Sequence, residues 1–172
     1  MVAPMPTTFV KGDLFHTDGI RAYAHGCNCA GAMDAGVAVA FKKRWPRLFD
    51  DYAARCADRR LHLGDVFVWS EGDETVYSLA IQEHWKKKAK LPALTKALRK
   101  MVELAALAGI ERIGLPRLGA GLGGLDWPRV KKILEEVGAT TTVTLVVFEQ
   151  FIRAEKTEKT EPAEKTEKTE KT

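Results

Sequence analysis

The sequence predicts an α/β protein built on one mixed, mainly parallel β-sheet with helices on both faces. Three observations lead there. Short β-branched and aromatic runs alternate with longer segments of helical apolar spacing, the order that parallel strands and crossover helices produce. Glycine-rich stretches fall directly after predicted strands, and the carboxyl edge of such a sheet is where ligands sit. The 172 residues, 45% apolar and 8% aromatic, suit one packed core rather than two.

Thr7 to Val10 reads as a first strand that ends at Gly12-Asp13, and Arg21 to His25 as a second that ends in a Gly-Cys-Asn loop. Gly36 to Arg44 places Val37, Ala40 and Phe41 at helical spacing. A short helix over Phe49 to Cys56 follows Pro46. Val66 to Trp69 and Thr75 to Ile81 are strands around the turn Glu71-Gly72-Asp73. Leu91 to Ala108 gives the clearest helical signal: Leu91, Leu94, Leu98, Met101, Val102 and Ala105 share one face, and Gly109 is a natural stop. Arg112 to Leu115 is a buried strand, followed by a glycine-rich loop. Trp127 to Val137 is a helix with Pro128 in its first turn, and Thr141 to Phe148 is a β-branched strand that closes the core.

Composition bounds the rest. Residues 1–153 read as one domain, and 154–172 as a disordered tail that repeats Glu-Lys-Thr and has too little apolar surface to offset its ordering entropy. No apolar run is long enough to cross a bilayer, and the first residues lack a basic segment followed by an apolar one, so no membrane span or secretory signal is expected. Cys27, Cys29 and Cys56 are odd in number, with two of them one residue apart, which suggests reduced thiols and a cytoplasmic location. They offer too few ligands for a zinc site. No metal and no cofactor are expected. The formal charge of +4 suits a phosphorylated ligand as well as a nucleic acid. Nothing in the pattern calls for an oligomer, and a monomer is expected.

Three loops carry the candidate chemistry. Pro116-Arg117-Leu118-Gly119-Ala120-Gly121-Leu122-Gly123-Gly124 contains G-x-G-x-x-G between a strand and a helix. A dinucleotide-binding fold would need an acidic residue about 20 positions later, and there the chain is already inside the last strand near Thr144. What survives is the backbone chemistry: side-chain-free residues let amides curl around an anion, and a diphosphate fits. The second loop, Gly26 to Gly31 with Met33 to Ala38, joins a strand end to a helix start, whose unpaired amides and partial positive charge also favour phosphate. Within it, Asn28 can both donate to and accept from ribose hydroxyls, or can be a turn residue. Asp34 can position a water or cap the helix. The third is Gly12-Asp13-Leu14, where a carboxylate at a strand end can accept from an exocyclic amine or simply close a turn.

These loops, in this order, resemble a macrodomain, and the resemblance implies a three-layer α/β/α sandwich that binds ADP-ribose. Phe9 to Phe15, Gly36 to Lys43 and Pro116 to Leu122 are similar to the terminal ADP-ribose protein glycohydrolase branch; Gly123 to Trp127 is similar to the bacterial antitoxin branch that removes ADP-ribose from thymidine in DNA. The resemblance implies that Asp13 holds the adenine amine with the Leu14 backbone beside it, and that Phe148 stacks on adenine. Gly36, Val37 and Ala38 would hold one phosphate. Gly119, Ala120, Gly121, Leu122 and Gly123 would wrap the other phosphate and the distal ribose, which Asn28 faces. The glycohydrolase branch has a lysine where this chain has Gln82 and an aspartate where it has Gly123, and an amide cannot form a Schiff base. The expected activity is therefore hydrolysis of ADP-ribosyl adducts of protein or DNA, or of O-acetyl-ADP-ribose, through a positioned water. The ligand's own α-phosphate would act as base, with Asn28 and Gln82 as orienting groups and Asp34 as the one nearby carboxylate to test as a base. A non-catalytic ADP-ribose reader is the alternative. A nucleic-acid module using Trp85 and Lys86 to Lys90 is a third, testable by salt dependence.

Overall fold

The computed structural model describes residues 6–152, so the expected tail at 154–172 lies outside the described residues. In chain order the elements are β1 (Thr8–Gly12), β2 (Ala22–Asn28), α1 (Val37–Arg44), α2 (Pro46–Ala57), β3 (Val66–Glu71), β4 (Glu74–Gln82), α3 (Leu91–Leu107), β5 (Arg112–Leu115), α4 (Trp127–Gly138) and β6 (Thr144–Phe151). Every strand and helix expected from the sequence is present. The strands form one sheet in the order β1-β6-β5-β2-β4-β3. All neighbours run parallel except β3 and β4, the hairpin around Gly72.

Helices cover both faces, as the near-continuous burial of β2, β4 and β5 requires. On β4, Tyr77, Leu79 and Ile81 pack with the buried stripe of α3 (Leu94, Leu98, Met101) and with Val130 and Leu134 of α4. Val76 and Ala80 point the other way, towards Phe41 of α1 and Leu48 and Tyr52 of α2. Two separate cores therefore flank the sheet, and the architecture is the three-layer sandwich.

Several boundaries differ from expectation for local reasons. β2 continues through Gly26, Cys27 and Asn28, which look like a loop by residue type, because Gly26 and Cys27 pair with Leu79 and Ala80 of β4. α2 begins at Pro46, where a missing N–H is harmless in the first turn, and it buries Leu48 as well as Tyr52. A 3-10 turn over Leu14–His16 has no apolar periodicity to announce it; Asp13 caps it by accepting from the Phe15 N–H at 3.0 Å. β6 starts three residues late, because the Thr141 hydroxyl accepts from the Val143 N–H at 3.2 Å and turns the chain away from the ladder. It then runs on to Phe151 beside β1, so Phe148 lies within the strand, opposite Val10, rather than at its end.

This topology creates one special position. After β2 the chain lays β3 at the edge and β4 between it and β2, then crosses to place β5 on the other side of β2. The loops that leave β2 and β5 lead to helices on opposite faces, which opens a crevice between them at the carboxyl edge, the position where open α/β sheets bind ligands.

Candidate functional site

A cavity of about 830 Å³ occupies that crevice. Its size is that of a pocket for a ligand larger than a single nucleotide base. One wall is the loop after β2 and the start of α1, with Asn28, Asp34, Gly36, Val37 and Ala38; the other is the loop after β5, from Pro116 to Gly123. Gln82 and Trp85, beyond β4, and Phe148, on β6, complete it. The structure thus brings together twelve expected residues, Asn28, Asp34, Gly36, Val37, Ala38, Gln82, Gly119, Ala120, Gly121, Leu122, Gly123 and Phe148.

The walls are built to expose backbone N–H groups. Gly36 precedes α1 with φ 64° and ψ −149°, a conformation open essentially to glycine alone, and no side chain caps the helix. Among the described residues, no acceptor in the chain takes the N–H groups of Val37 and Ala38. In the other wall the carbonyls point into the protein: Gly119 accepts from Leu125 at 2.8 Å, Gly121 from Gly124 at 3.1 Å and Gly123 from Ala89 at 2.8 Å. The N–H groups of Ala120, Gly121, Leu122 and Gly123 find no acceptor among the described residues. Gly123 is required by close approach, since a Cβ there would lie 2.7 Å from the Gly119 carbonyl oxygen. Gly121 is different, because a Cβ there meets nothing within 4 Å.

The polar side chains are more committed than their types suggest. Asn28 is buried, and its Oδ1 accepts from the N–H groups of Ala30 at 2.9 Å and Ala32 at 3.3 Å. The Tyr52 hydroxyl lies 2.6 Å from the Asn28 carbonyl and 2.9 Å from its Oδ1, sharing one proton between them. Nδ2 donates to the Ala32 carbonyl at 3.0 Å, which leaves a single side-chain N–H for a ligand. Asn28 therefore first shapes the loop. Gln82 donates from Nε2 to the Lys87 carbonyl, which fixes its amide within its own loop. Asp34 is solvent-exposed, with Oδ1 3.6 Å from Lys42 Nζ.

Asp13 and Leu14 lie outside the cavity wall. Leu14 is fully buried in the core beneath α1. The buried Asp13 carboxylate holds the Phe15 N–H and sits 2.9 Å from His16 Nδ1. The residue before them, Gly12, would carry its Cβ 3.6 Å from the Phe148 ring.

The cavity also contains residues that sequence reasoning did not assign to it. Trp85 keeps 53% of its surface exposed and stacks on His84 with ring centres 3.6 Å apart. Glu149 accepts from Trp127 Nε1 at 2.9 Å, and that bond, helped by Lys131 at 3.3 Å, holds its carboxyl below the usual range. Its neighbour in sequence, Phe148, was the signal that could have pointed to it. Cys27, within the expected second loop, also lines the cavity, and burial pushes its thiol well up; the Cys29 thiol is pushed up to about 11. Both are protonated near neutral pH and poor nucleophiles. Among the described residues, no group of three or more His, Cys, Asp or Glu side chains is placed to hold a metal ion, and no helix is long and apolar enough to cross a membrane.

Comparison with known proteins agrees with this geometry. The chain is 30% identical to the DNA ADP-ribosyl glycohydrolase of Mycobacterium tuberculosis over 131 residues, 74% of this chain and 37% of that protein. It therefore spans well under half the length of that relative. It is 29% identical to human ADP-ribose glycohydrolase OARD1 over 141 residues, 82% of this chain and 90% of that one. The macrodomain of M. tuberculosis DarG superposes with a TM-score of 0.76 at 28% identity, covering 83% of this chain and 97% of that one. The Macro domain model matches residues 24–134, more than half of the 172, a stretch that includes both amide-lined loops, and the chain belongs to the Macro domain family.

Proposed function

We propose that this chain binds ADP-ribose and hydrolyses it slowly from an acceptor, using a positioned water. The observation that carries the proposal is the pair of backbone arcs, Val37-Ala38 and Ala120 to Gly123, whose N–H groups have no acceptor among the described residues and which line one cavity. Amides held by a folded backbone stabilise phosphate oxygens with little reorganisation. A diphosphate lodged between the arcs directs adenosine towards Phe148 and Asp13, and the distal ribose towards Gln82 and Trp85. Asn28 offers its remaining N–H to that ribose. With both thiols protonated and no lysine at position 82, hydrolysis proceeds by water attack at the anomeric carbon or at an ester carbonyl. The α-phosphate takes the water's proton as the bond to the acceptor, or the acyl–oxygen bond of an ester, breaks; the leaving group departs with the bonding electrons and picks up that proton, and Asp34 is the carboxylate to test as a base beside it. The names of the relatives, a DNA ADP-ribosyl glycohydrolase and an ADP-ribose glycohydrolase, support both the ligand and the reaction class.

A second reading, a reader that binds without turnover, is favoured by Gln82, whose amide is tied to the Lys87 carbonyl. Calorimetric titration with ADP-ribose tests binding. Incubation with ADP-ribosylated thymidine DNA, ADP-ribosylated glutamate protein and O-acetyl-ADP-ribose tests turnover. Binding with release from at least one substrate is the expected result. Binding with none consumed makes the protein a reader, and absence of binding removes both.

A further inference from the structure

On the outer face of the α3/α4 layer a groove runs between the two helices. Leu91, Pro92 and Ile133 contribute apolar surface, and Lys96, Arg99, Arg129 and Lys132 contribute charge. These four side chains are exposed, and among the described residues none has an acidic partner within salt-bridge distance. Neighbouring cations are paired: Lys100 with Glu103 at 3.6 Å, Lys131 with Glu149 at 3.3 Å and Lys87 with Glu83 at 3.0 Å. Glu136, near the end of α4, is the carboxylate that lines the groove. Four cations against this one carboxylate leave a net positive local field, suited to an extended anion.

The groove is also built on the two segments that leave the cavity. Both helices follow parallel strands, so their first turns lie at the carboxyl edge of the sheet. The loop bearing Gln82 and Trp85 continues through Lys86, Lys88 and Lys90 into α3, whose Leu91 lines the groove. The other cavity loop leads into α4, whose Arg129 lines the opposite wall. The Ala89 N–H donates to the Gly123 carbonyl at 2.8 Å and ties the two loops together.

We propose that the α3/α4 groove is a binding track for single-stranded nucleic acid, with the exposed Trp85–His84 stack as the platform for a base at the cavity mouth. An acidic peptide would match the charge but would have no use for an exposed indole face. A nucleic acid strand uses both, because phosphates follow basic grooves while bases stack on aromatic rings. A base carrying ADP-ribose in the cavity must leave its duplex stack, so the flanking strand reaches the groove unpaired. The assignment of this track to the acceptor side rests on the ADP-ribose reading of the cavity. The affinity of the groove for an unmodified strand does not.

The test uses the full chain and a fluorescein-labelled oligothymidine, followed by anisotropy across a salt series, with ADP-ribose titrated in parallel. The comparison variant carries Lys96→Gln, Arg99→Gln, Arg129→Gln and Lys132→Gln together. The expected result is at least tenfold weaker strand binding in the variant, with a log-log salt slope shallower by about 3, and unchanged ADP-ribose affinity. Trp85→Ala weakens strand binding further in the wild-type groove. Strand binding with the slope unmoved by the four substitutions overturns the proposal, as does failure of the wild type to bind the strand. Polyglutamate binding as tight as the strand overturns the nucleic acid assignment. Loss of ADP-ribose binding alone, with groove-dependent strand binding intact, removes the cavity reading and leaves the groove.

Discussion

Two glycines of the same loop respond to substitution in opposite ways, because their surroundings differ. At Gly121 a new side chain has room, since nothing lies within 4 Å of its Cβ position. Gly121→Glu is therefore expected to melt near the wild-type temperature while placing a carboxylate among the acceptor-free amides of the proposed phosphate site. ADP-ribose affinity should fall at least 100-fold, about 2.7 kcal/mol. Gly123→Ala presses a Cβ to 2.7 Å from a backbone oxygen that cannot yield cheaply, and it should cost about 1–3 kcal/mol of stability. Paired calorimetry and thermal melts separate the two effects. His25 carries a different signal. Its Nε2 is 2.7 Å from Ser78 Oγ, its ring stacks on Phe41 at 4.5 Å, and burial lowers its pKa to about 4. Above about pH 6.5 the imidazole is neutral folded or unfolded. As pH falls from there towards 4, only the unfolded chain takes up the proton, so stability drops, by about 3 kcal/mol before levelling off below pH 4. Urea titrations between pH 4 and 7 should show this slope in the wild type and a shallower one in His25→Gln, both ranges set by the same linkage.

At the level of elements, the site depends on a contact that crosses from α2 to the end of β2. The Tyr52 hydroxyl holds the Asn28 carbonyl at 2.6 Å and shares its proton with Oδ1 at 2.9 Å, which fixes the turn that launches the first amide-lined loop. Tyr52→Phe removes the hydroxyl and leaves the Asn28 carbonyl with the weak, 4.0 Å contact from Cys56 Sγ, a loss of about 1–3 kcal/mol. Urea unfolding should register that loss, and ADP-ribose affinity should fall several-fold as the loop loosens; unchanged affinity would mean the loop is held by Asn28 alone. The sequence could show α2, through its apolar spacing, and it could show that Asn28 mattered. It could not show that they met, because the contact joins residues 24 positions apart. The same limit explains the boundary errors. Gly26, Cys27 and Asn28 have loop-like residue types, and only their pairing with β4 makes them strand. Thr141 has a strand-like type, and only its hydroxyl bond to Val143 takes it out of the ladder.

For the whole molecule, the alternation of strand and helix patterns was enough to give the three layers, since each pattern reflects which face of an element is buried. Both amide-lined loops were also legible, because runs of glycine and small residues are local features. Less of the remaining cavity could be read. Trp85 and Glu149 join it only through the strand order, which sets β2 between β4 and β5, while Asp13 and Leu14 are not among the residues that line it. That strand order also gives the last prediction its force. The two arcs belong to loops that feed opposite helical layers, so a diphosphate spanning them ties the α1/α2 layer to the α3/α4 layer. A ligand present at 100 times its Kd and bound only by the folded state adds about 2.7 kcal/mol of stability. For a domain of this size that is a rise in melting temperature of roughly 5–10 °C. AMP, with one phosphate, engages one arc and should give a distinctly smaller rise at the same multiple of the ADP-ribose Kd. Thermal melts with the two nucleotides, repeated on Gly121→Glu, check this directly. Equal rises from AMP and ADP-ribose would mean that a single arc does the binding and that the crevice between the layers is not the diphosphate site.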